Sequence, residues 1–136
     1  MKVILDTNIW ISFLLGHQAK LIRRILTDSR YDVYVCKELL DEIQDVANRP
    51  KIRRTVSANE VRDLLYIITA FCKSISVTTE AQANIRDDKD LYLLSLAESI
   101  GATYIVSGDA DLTTLHHYKG TQIIRLTEFK GMMLYS

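Results

Sequence analysis

Cysteine is scarce in this chain, with only Cys36 and Cys72 among 136 residues. Two cysteines make no disulfide framework. Each sits beside or within an apolar segment, so reduced core thiols in a cytosolic protein are expected. Proline occurs once and glycine five times, mostly where elements end, and the chain shows no repeat, low-complexity segment or linker. An excess of one charge is missing too, because 17 basic and 17 acidic residues cancel. No global field draws the chain to nucleic acid or to an anionic membrane, and any such affinity has to come from local patches. No apolar run approaches the roughly 18 residues of a membrane span. The N-terminal apolar stretch is interrupted by Asp6 and Asn8 and lacks a small-residue cleavage site, so no signal peptide is expected.

What is present is an ordinary globular composition, 48% hydrophobic and 25% charged. The length fits one domain over 1–136 with a sizeable core. Strand-like and helix-like segments alternate. Lys2 to Leu5 reads as a short buried strand, Tyr31 to Cys36 as a Val- and Tyr-rich strand, and Ser74 to Val77, Thr103 to Val106 and Gln122 to Arg125 as three more. Between them, Ile9 to Leu15 reads as a helix with Asn8 as its N-cap and Gly16 as its stop. Ala19 to Ser29, Lys37 to Asn48 and Asp88 to Ile100 also read as helices, the last closed by Gly101. Ser57-Ala58-Asn59-Glu60 is a capping box opening a helix to about Cys72. Asp111 to His116 reads as a short helix, and Thr127 to about Lys130 as a final turn. This alternation predicts an α/β fold with a mainly parallel sheet of about five strands covered on both faces.

The chemistry-bearing residues are acids at the ends of these elements. Asp6 closes the apolar run Val3-Ile4-Leu5, where a carboxylate is badly placed for packing. It is well placed for a site, because open α/β sheets bind ligands outside the carboxyl ends of their strands. The helix Lys37 to Asn48 carries Glu38, Asp41, Glu42 and Asp45. At about 100° per residue, Glu42 lies about 100° from the centre of the apolar stripe and the other three about 140–160° away. Glu42 is the acid at the edge of the buried face. Of Asp87, Asp88 and Asp90, only Asp90 shares the face of Leu94 and Ala97, while Asp88 shares a polar side with Tyr92, Ser95 and Ser99. Asp109 and Asp111 follow the fourth strand in Ser107-Gly108-Asp109-Ala110-Asp111. Taken singly, an acid at a helix start is more often a cap than a catalyst. Taken together, Asp6, Glu42, Asp90 and Asp109 are expected to open on one end of one sheet. Such a cluster needs a cation, and all-oxygen donors suit Mg²⁺ or Mn²⁺. A Cys/His set for zinc is missing.

At these residues the chain resembles the PIN (PilT N-terminal) domain family. The matching segments are Val3-Ile4-Leu5-Asp6-Thr7-Asn8, Glu38-Leu39-Leu40-Asp41-Glu42-Ile43 with Arg49-Pro50-Lys51, and Arg86-Asp87-Asp88-Lys89-Asp90 with Leu94 and Ala97. Gly101-Ala102, Ser107 to Leu112 and Thr127-Glu128-Phe129 complete them. Their order and spacing are specific together, and the likeness covers nearly the whole chain. It is nearest to stand-alone prokaryotic PIN proteins regarded as toxins of toxin–antitoxin systems. The resemblance implies a Rossmann-like three-layer α/β/α sandwich and a metal-dependent ribonuclease. It implies Asp6, Glu42, Asp90 and Asp109 as metal-holding catalytic acids, Asp111 as an accessory, and Asn8 and Ser107 as orienting groups. It further implies an RNA substrate, a small antitoxin partner and a homodimer or higher homo-oligomer. Many relatives have Pro where Asp88 stands and Asp where Leu91 stands.

Cations for the RNA backbone are expected from Arg49, Lys51, Arg53 and Arg54, which leave the helix that carries Glu42. His116, His117 and Tyr118 read as a surface loop, and Trp10 as core or interface. A PIN fold kept only for RNA or protein binding is the alternative, against which the full acid quartet speaks. Phosphotransfer through Asp6 fits poorly. A haloacid-dehalogenase-type site would want an acid where Asn8 stands, and a receiver-type site an acid pair by its first strand.

Overall fold

A computed structural model describes residues 1–78 and 90–135. The chain runs β1 (Lys2–Leu5), α1 (Thr7–Leu14), α2 (Ala19–Thr27), β2 (Asp32–Val35), α3 (Lys37–Ala47), α4 (Pro50–Arg53), α5 (Ala58–Phe71) and β3 (Lys73–Ser74). It continues with α6 (Leu91–Ile100), β4 (Tyr104–Val106), α7 (Ala110–Thr113), β5 (His117–Tyr118), β6 (Thr121–Ile124) and α8 (Leu126–Tyr135). The strands form one sheet in the order β3-β2-β1-β4-β6-β5, parallel except for the β5–β6 pair. Helices cover it in a three-layer α/β/α arrangement. Val3, Ile4 and Leu5 are fully buried, as expected of a central parallel strand packed on both faces.

The strand order reverses beside β1. The chain leaves β1 towards β2 and β3, then returns to place β4 on the other side. In an open α/β sheet such a switch point opens a crevice at the carboxyl ends of the two neighbouring strands. Asp6 follows β1 and Ser107 follows β4, so both lie at this crevice.

Several boundaries differ from expectation for local reasons. Thr7 already begins α1, because Asp6 is its N-cap and accepts from the Thr7 amide. Asn8 therefore lies inside the first turn and is not the cap. The basic segment after α3 folds into the one-turn α4, with Pro50 at the start where its fixed φ suits a helix. The segment His116 to Tyr118, expected as a loop, supplies β5, an antiparallel edge strand that brings the sheet to six. The final turn is a longer helix, α8, which buries Phe129 and Met133 on one face. Gly131 inside it weakens the helix signal of the sequence. Ser57 and Glu60 do form a capping box, and Gly101 closes α6 at φ 66°. Asp87 and Asp88 lie outside the described residues.

Two apolar clusters hold the frame. The larger surrounds the sheet and includes Trp10, Leu39, Leu94 and Phe129. Phe129 packs its ring against Tyr31 and Tyr104 at 5.1 and 5.6 Å between centroids. The smaller cluster joins Ile11, Ala47, Val56 and Val61, tying α1, α3 and α5 together below the crevice. Among the described residues no helix is long and apolar enough to cross a membrane.

Candidate active site

The register of the central strands builds the site. Leu5 pairs with Val106, so the next residues, Asp6 and Ser107, stand side by side. The Asp6 amide donates to the Val106 carbonyl at 2.9 Å, and the ladder ends there. The Asp6 carboxylate then sits at the start of α1, Oδ1 accepting from the Thr7 amide at 2.6 Å. Oδ2 accepts from the Ser107 hydroxyl at 2.6 Å and, in a longer contact of 3.5 Å, from the Asn8 side-chain amide.

Ser107 and Asn8 also reach the second turn. The Ser107 Oγ accepts from the Asp109 amide at 3.0 Å, and the Asn8 Oδ1 accepts from the Gly108 amide at 3.2 Å. Both residues thus join the turn after β1 to the turn after β4. Asp109 caps α7, its Oδ1 accepting from the Asp111 amide at 2.9 Å. Asp111 itself does not line the cleft.

Helices bring the other acids. Glu42 is half-buried on α3, whereas Glu38, Asp41 and Asp45 are exposed on the same helix. The face arithmetic separates them as the structure does. Asp90 is 7% exposed at the start of α6 and does not cap that helix with its side chain. Asp6, Glu42, Asp90 and Asp109 all line one open cleft, with Thr7, Asn8, Ile11 and Val46. Its volume is about 260 Å³, which at about 30 Å³ per water molecule leaves room for a hydrated cation. A larger hollow along α3 is lined by Asp41, Asp45 and Arg49, and there Arg49 pairs with Asp45 at 3.3 Å. In the acid cleft no described lining residue is cationic.

Asp6 is shifted in this setting. Burial pushes its carboxyl up to about 6, against the Ser107 and Thr7 hydrogen bonds, and the Glu42 and Asp109 carboxylates push the same way. Tyr92 is the residue that sequence reasoning missed. Helical spacing sets it with Ser95 and Ser99 on a polar side, yet it is half-buried and its hydroxyl donates to Glu42 Oε2. Burial and the Glu42 hydrogen bond hold its phenol above the ordinary range. No local signal marks this contact, because its partner lies on another helix 50 residues away.

The donor set of carboxylate oxygens fits a hard divalent cation by its chemistry. Its spacing is open: among the described residues no three His, Cys, Asp or Glu side chains are grouped closely enough to hold an ion as they stand. The expected RNA-contact residues stay outside the cleft. Arg49, Lys51, Arg53 and Arg54 are all exposed on and around α4, and Arg53 donates to the Asn48 side chain at 3.0 Å.

A family model described as PIN domain matches residues 2–111. The chain belongs to the PIN domain family, whose members are in general nucleases. No curated protein is similar enough to the chain to count as a match. Among solved structures, a chain of VapBC2 from Rickettsia felis, bound to a DNA fragment from their promoter, is similar at a TM-score of 0.64 and 14% identity. That match covers 90% of this chain and 97% of the other. The PIN domain of human SMG5 is similar at a TM-score of 0.54 and 14% identity, over 98% and 99% of the two chains. The PIN domain of T. brucei RRP44 follows at 0.51 and 14%, over 98% and 80%. At these identities the likeness is one of fold.

Proposed function

We propose that this protein is a metal-dependent endoribonuclease that hydrolyses RNA phosphodiester bonds, and that it acts as the toxin of a toxin–antitoxin pair. One observation carries the nuclease reading: four acids from four separate elements line a single cleft at the sheet's switch point, with no cation among the described lining residues. Membership of a family of nucleases supports it. In this reading Asp6 and Asp109 hold Mg²⁺ or Mn²⁺, Asp90 holds the same or a second ion, and Glu42 is a ligand or orients water. Bound there, such a cation supplies a more acidic water and stabilises charge on the phosphate. Ser107 keeps Asp6 and the Asp109 turn at a fixed separation, and Asn8 does the same from α1. Asp111 fixes the Asp109 carboxylate through its amide. No side-chain nucleophile is required. Exposed Arg49, Lys51, Arg53 and Arg54 contact the RNA backbone beyond the cleft, with affinity that falls as salt rises.

The toxin role rests on the likeness to stand-alone PIN toxins and on the fold shared with a chain of VapBC2 over nearly its full length. It brings with it a small antitoxin partner, a homodimer or higher homo-oligomer, and a cytoplasmic setting. One domain over 1–136 suffices for it.

The test is cleavage-site mapping on total RNA with Mn²⁺, with chelator and with Asp6→Asn. Asp6→Asn should abolish cleavage while leaving the fold intact, a loss beyond the roughly 100-fold that removing an outer partner of a metal ligand costs. Unchanged cleavage would refute the assignment. A second reading is a PIN-fold module that binds RNA or protein without cutting. It is favoured by the open spacing of the acids. Thermal stabilisation by Mn²⁺ that disappears in Asp6→Asn would exclude it.

A further inference from the structure

We infer that Tyr92 is a positioning residue for Glu42, its hydroxyl holding one carboxylate oxygen on the cleft wall and leaving the other for a divalent cation. The inference rests on the metal site proposed above and extends it to a residue outside the acid quartet.

The four acids are held in different ways. Asp6 is fixed by the Thr7 amide and the Ser107 hydroxyl. Asp109 is fixed by the Asp111 amide. Asp90 is buried at a helix start. Glu42 has none of these supports. It projects from the middle of α3, at the edge of its buried face, on a longer side chain with more rotamers to lose than an aspartate has. Its only hydrogen bond among the described residues is the one from Tyr92 to Oε2. Oε1 accepts none there.

Tyr92 suits this task. It lies on α6 close behind Asp90 and packs, half-buried, against the main apolar cluster. An aromatic ring seated on a core has few ways to move, so the hydroxyl it carries is a fixed point. Through it α6 sets the distance of Glu42 from Asp90 and Asp6. A carboxylate held by a second group binds a metal better than one that must be ordered on binding.

The decisive substitution is Tyr92→Phe, which keeps the ring and removes the donor. Mn²⁺ binding by the intact protein is measured by calorimetry for wild type, Tyr92→Phe, Glu42→Gln and the double variant. Thermal unfolding without metal is measured alongside. Tyr92→Phe should weaken Mn²⁺ binding about 10-fold with a metal-free melting point close to that of wild type. In the Glu42→Gln background the same change should have no further effect, because the phenol acts only through Glu42. Binding by Tyr92→Phe equal to or tighter than wild type would overturn the inference, and so would an equal loss in the Glu42→Gln background. Those results leave the metal site standing if wild type binds Mn²⁺ and Asp6→Asn does not. If wild type and Asp6→Asn bind alike, the metal site itself falls and this inference with it.

Discussion

The two ends of the sheet treat charge in opposite ways. At the amino end, before β2, Asp28 meets the Arg30 guanidinium in a fork of contacts at 2.7 to 3.2 Å. Those hydrogen bonds bring its carboxyl down to about 2. Nearby, the terminal ammonium donates to the Arg30 carbonyl at 2.6 Å. Lys2 donates to the last carbonyl of α6 at 3.0 Å, where a cation also suits the helix dipole. At the carboxyl end, Asp6 is buried near Glu42 and Asp109 and pushed up to about 6. The same residue type is stabilised as an anion at one end and destabilised at the other. Asp28 has the Arg30 guanidinium as its partner, whereas burial is the largest cause at Asp6 and none of the described residues lining its cleft is cationic. A carboxyl shifted by burial and by neighbouring carboxylates in a cleft is a candidate functional group.

The largest effect that could break this contrast is on stability against pH. Asp6 binds its proton more tightly in the folded chain than in the unfolded one. Its contribution to stability is therefore full below the ordinary value of 3.8 and is lost as pH rises through about 6. By pH 8 the loss amounts to about 3 kcal/mol. Asp6→Asn does not titrate, so its stability relative to wild type should rise by about that amount between pH 4 and pH 8 in chelator. Urea unfolding of both proteins across this range measures it. Mn²⁺ should close the gap at pH 8 by stabilising wild type alone. Parallel pH profiles would mean that the carboxyl end is no more charge-stressed than the amino end.

The sequence carried much of this contrast, though unevenly. β1 and β4 were legible because buried parallel strands are short apolar runs, and Asp6 stood out as the group that ends one. Glu42 was separable from Glu38, Asp41 and Asp45 because helix periodicity converts spacing into direction. The Ser57 capping box and the Gly101 stop were legible because capping is local chemistry. Contacts across the fold were not. Tyr92 reads as one tyrosine on a polar helix side until α3 is packed beside α6. Asp6 as the cap in place of Asn8 depends on where the β1 ladder ends, which β4 decides. β5 is too short to show a strand pattern and exists by pairing with β6. α4 is nucleated by Pro50, a residue that also reads as a stop.

A smaller effect should follow from Ser107→Ala. This hydroxyl is fully buried and stands between the Asp6 carboxylate and the Asp109 amide. Its removal takes away the main hydrogen bond that holds the Asp6 pKa down, so the stability change of wild type should move to higher pH. It also leaves the Asp109 amide without that acceptor, a cost of about 1–2 kcal/mol. Cleavage should fall about 10-fold, less than in Asp6→Asn, because the carboxylates remain. A variant as inactive as Asp6→Asn would make Ser107 a participant and not a spacer.

The smallest effect belongs to the amino end. The Asp28 and Arg30 side chains are partly exposed, at 17% and 37%, and pairs of this kind contribute little and are screened by salt. Asp28→Asn should lower the melting point slightly at low salt and not at all at high salt. Its pH signature runs opposite to that of Asp6. The depressed carboxyl contributes stability above 3.8 that is lost as pH falls through about 2, so the variant should differ from wild type at neutral pH and converge with it in acid. Cleavage should be untouched, since this pair and the cleft lie at opposite ends of the strands. A cleavage loss like that of Ser107→Ala would mean that the two ends are coupled through the sheet. The Asp28–Arg30 pair would then belong to the function as much as the cleft acids do.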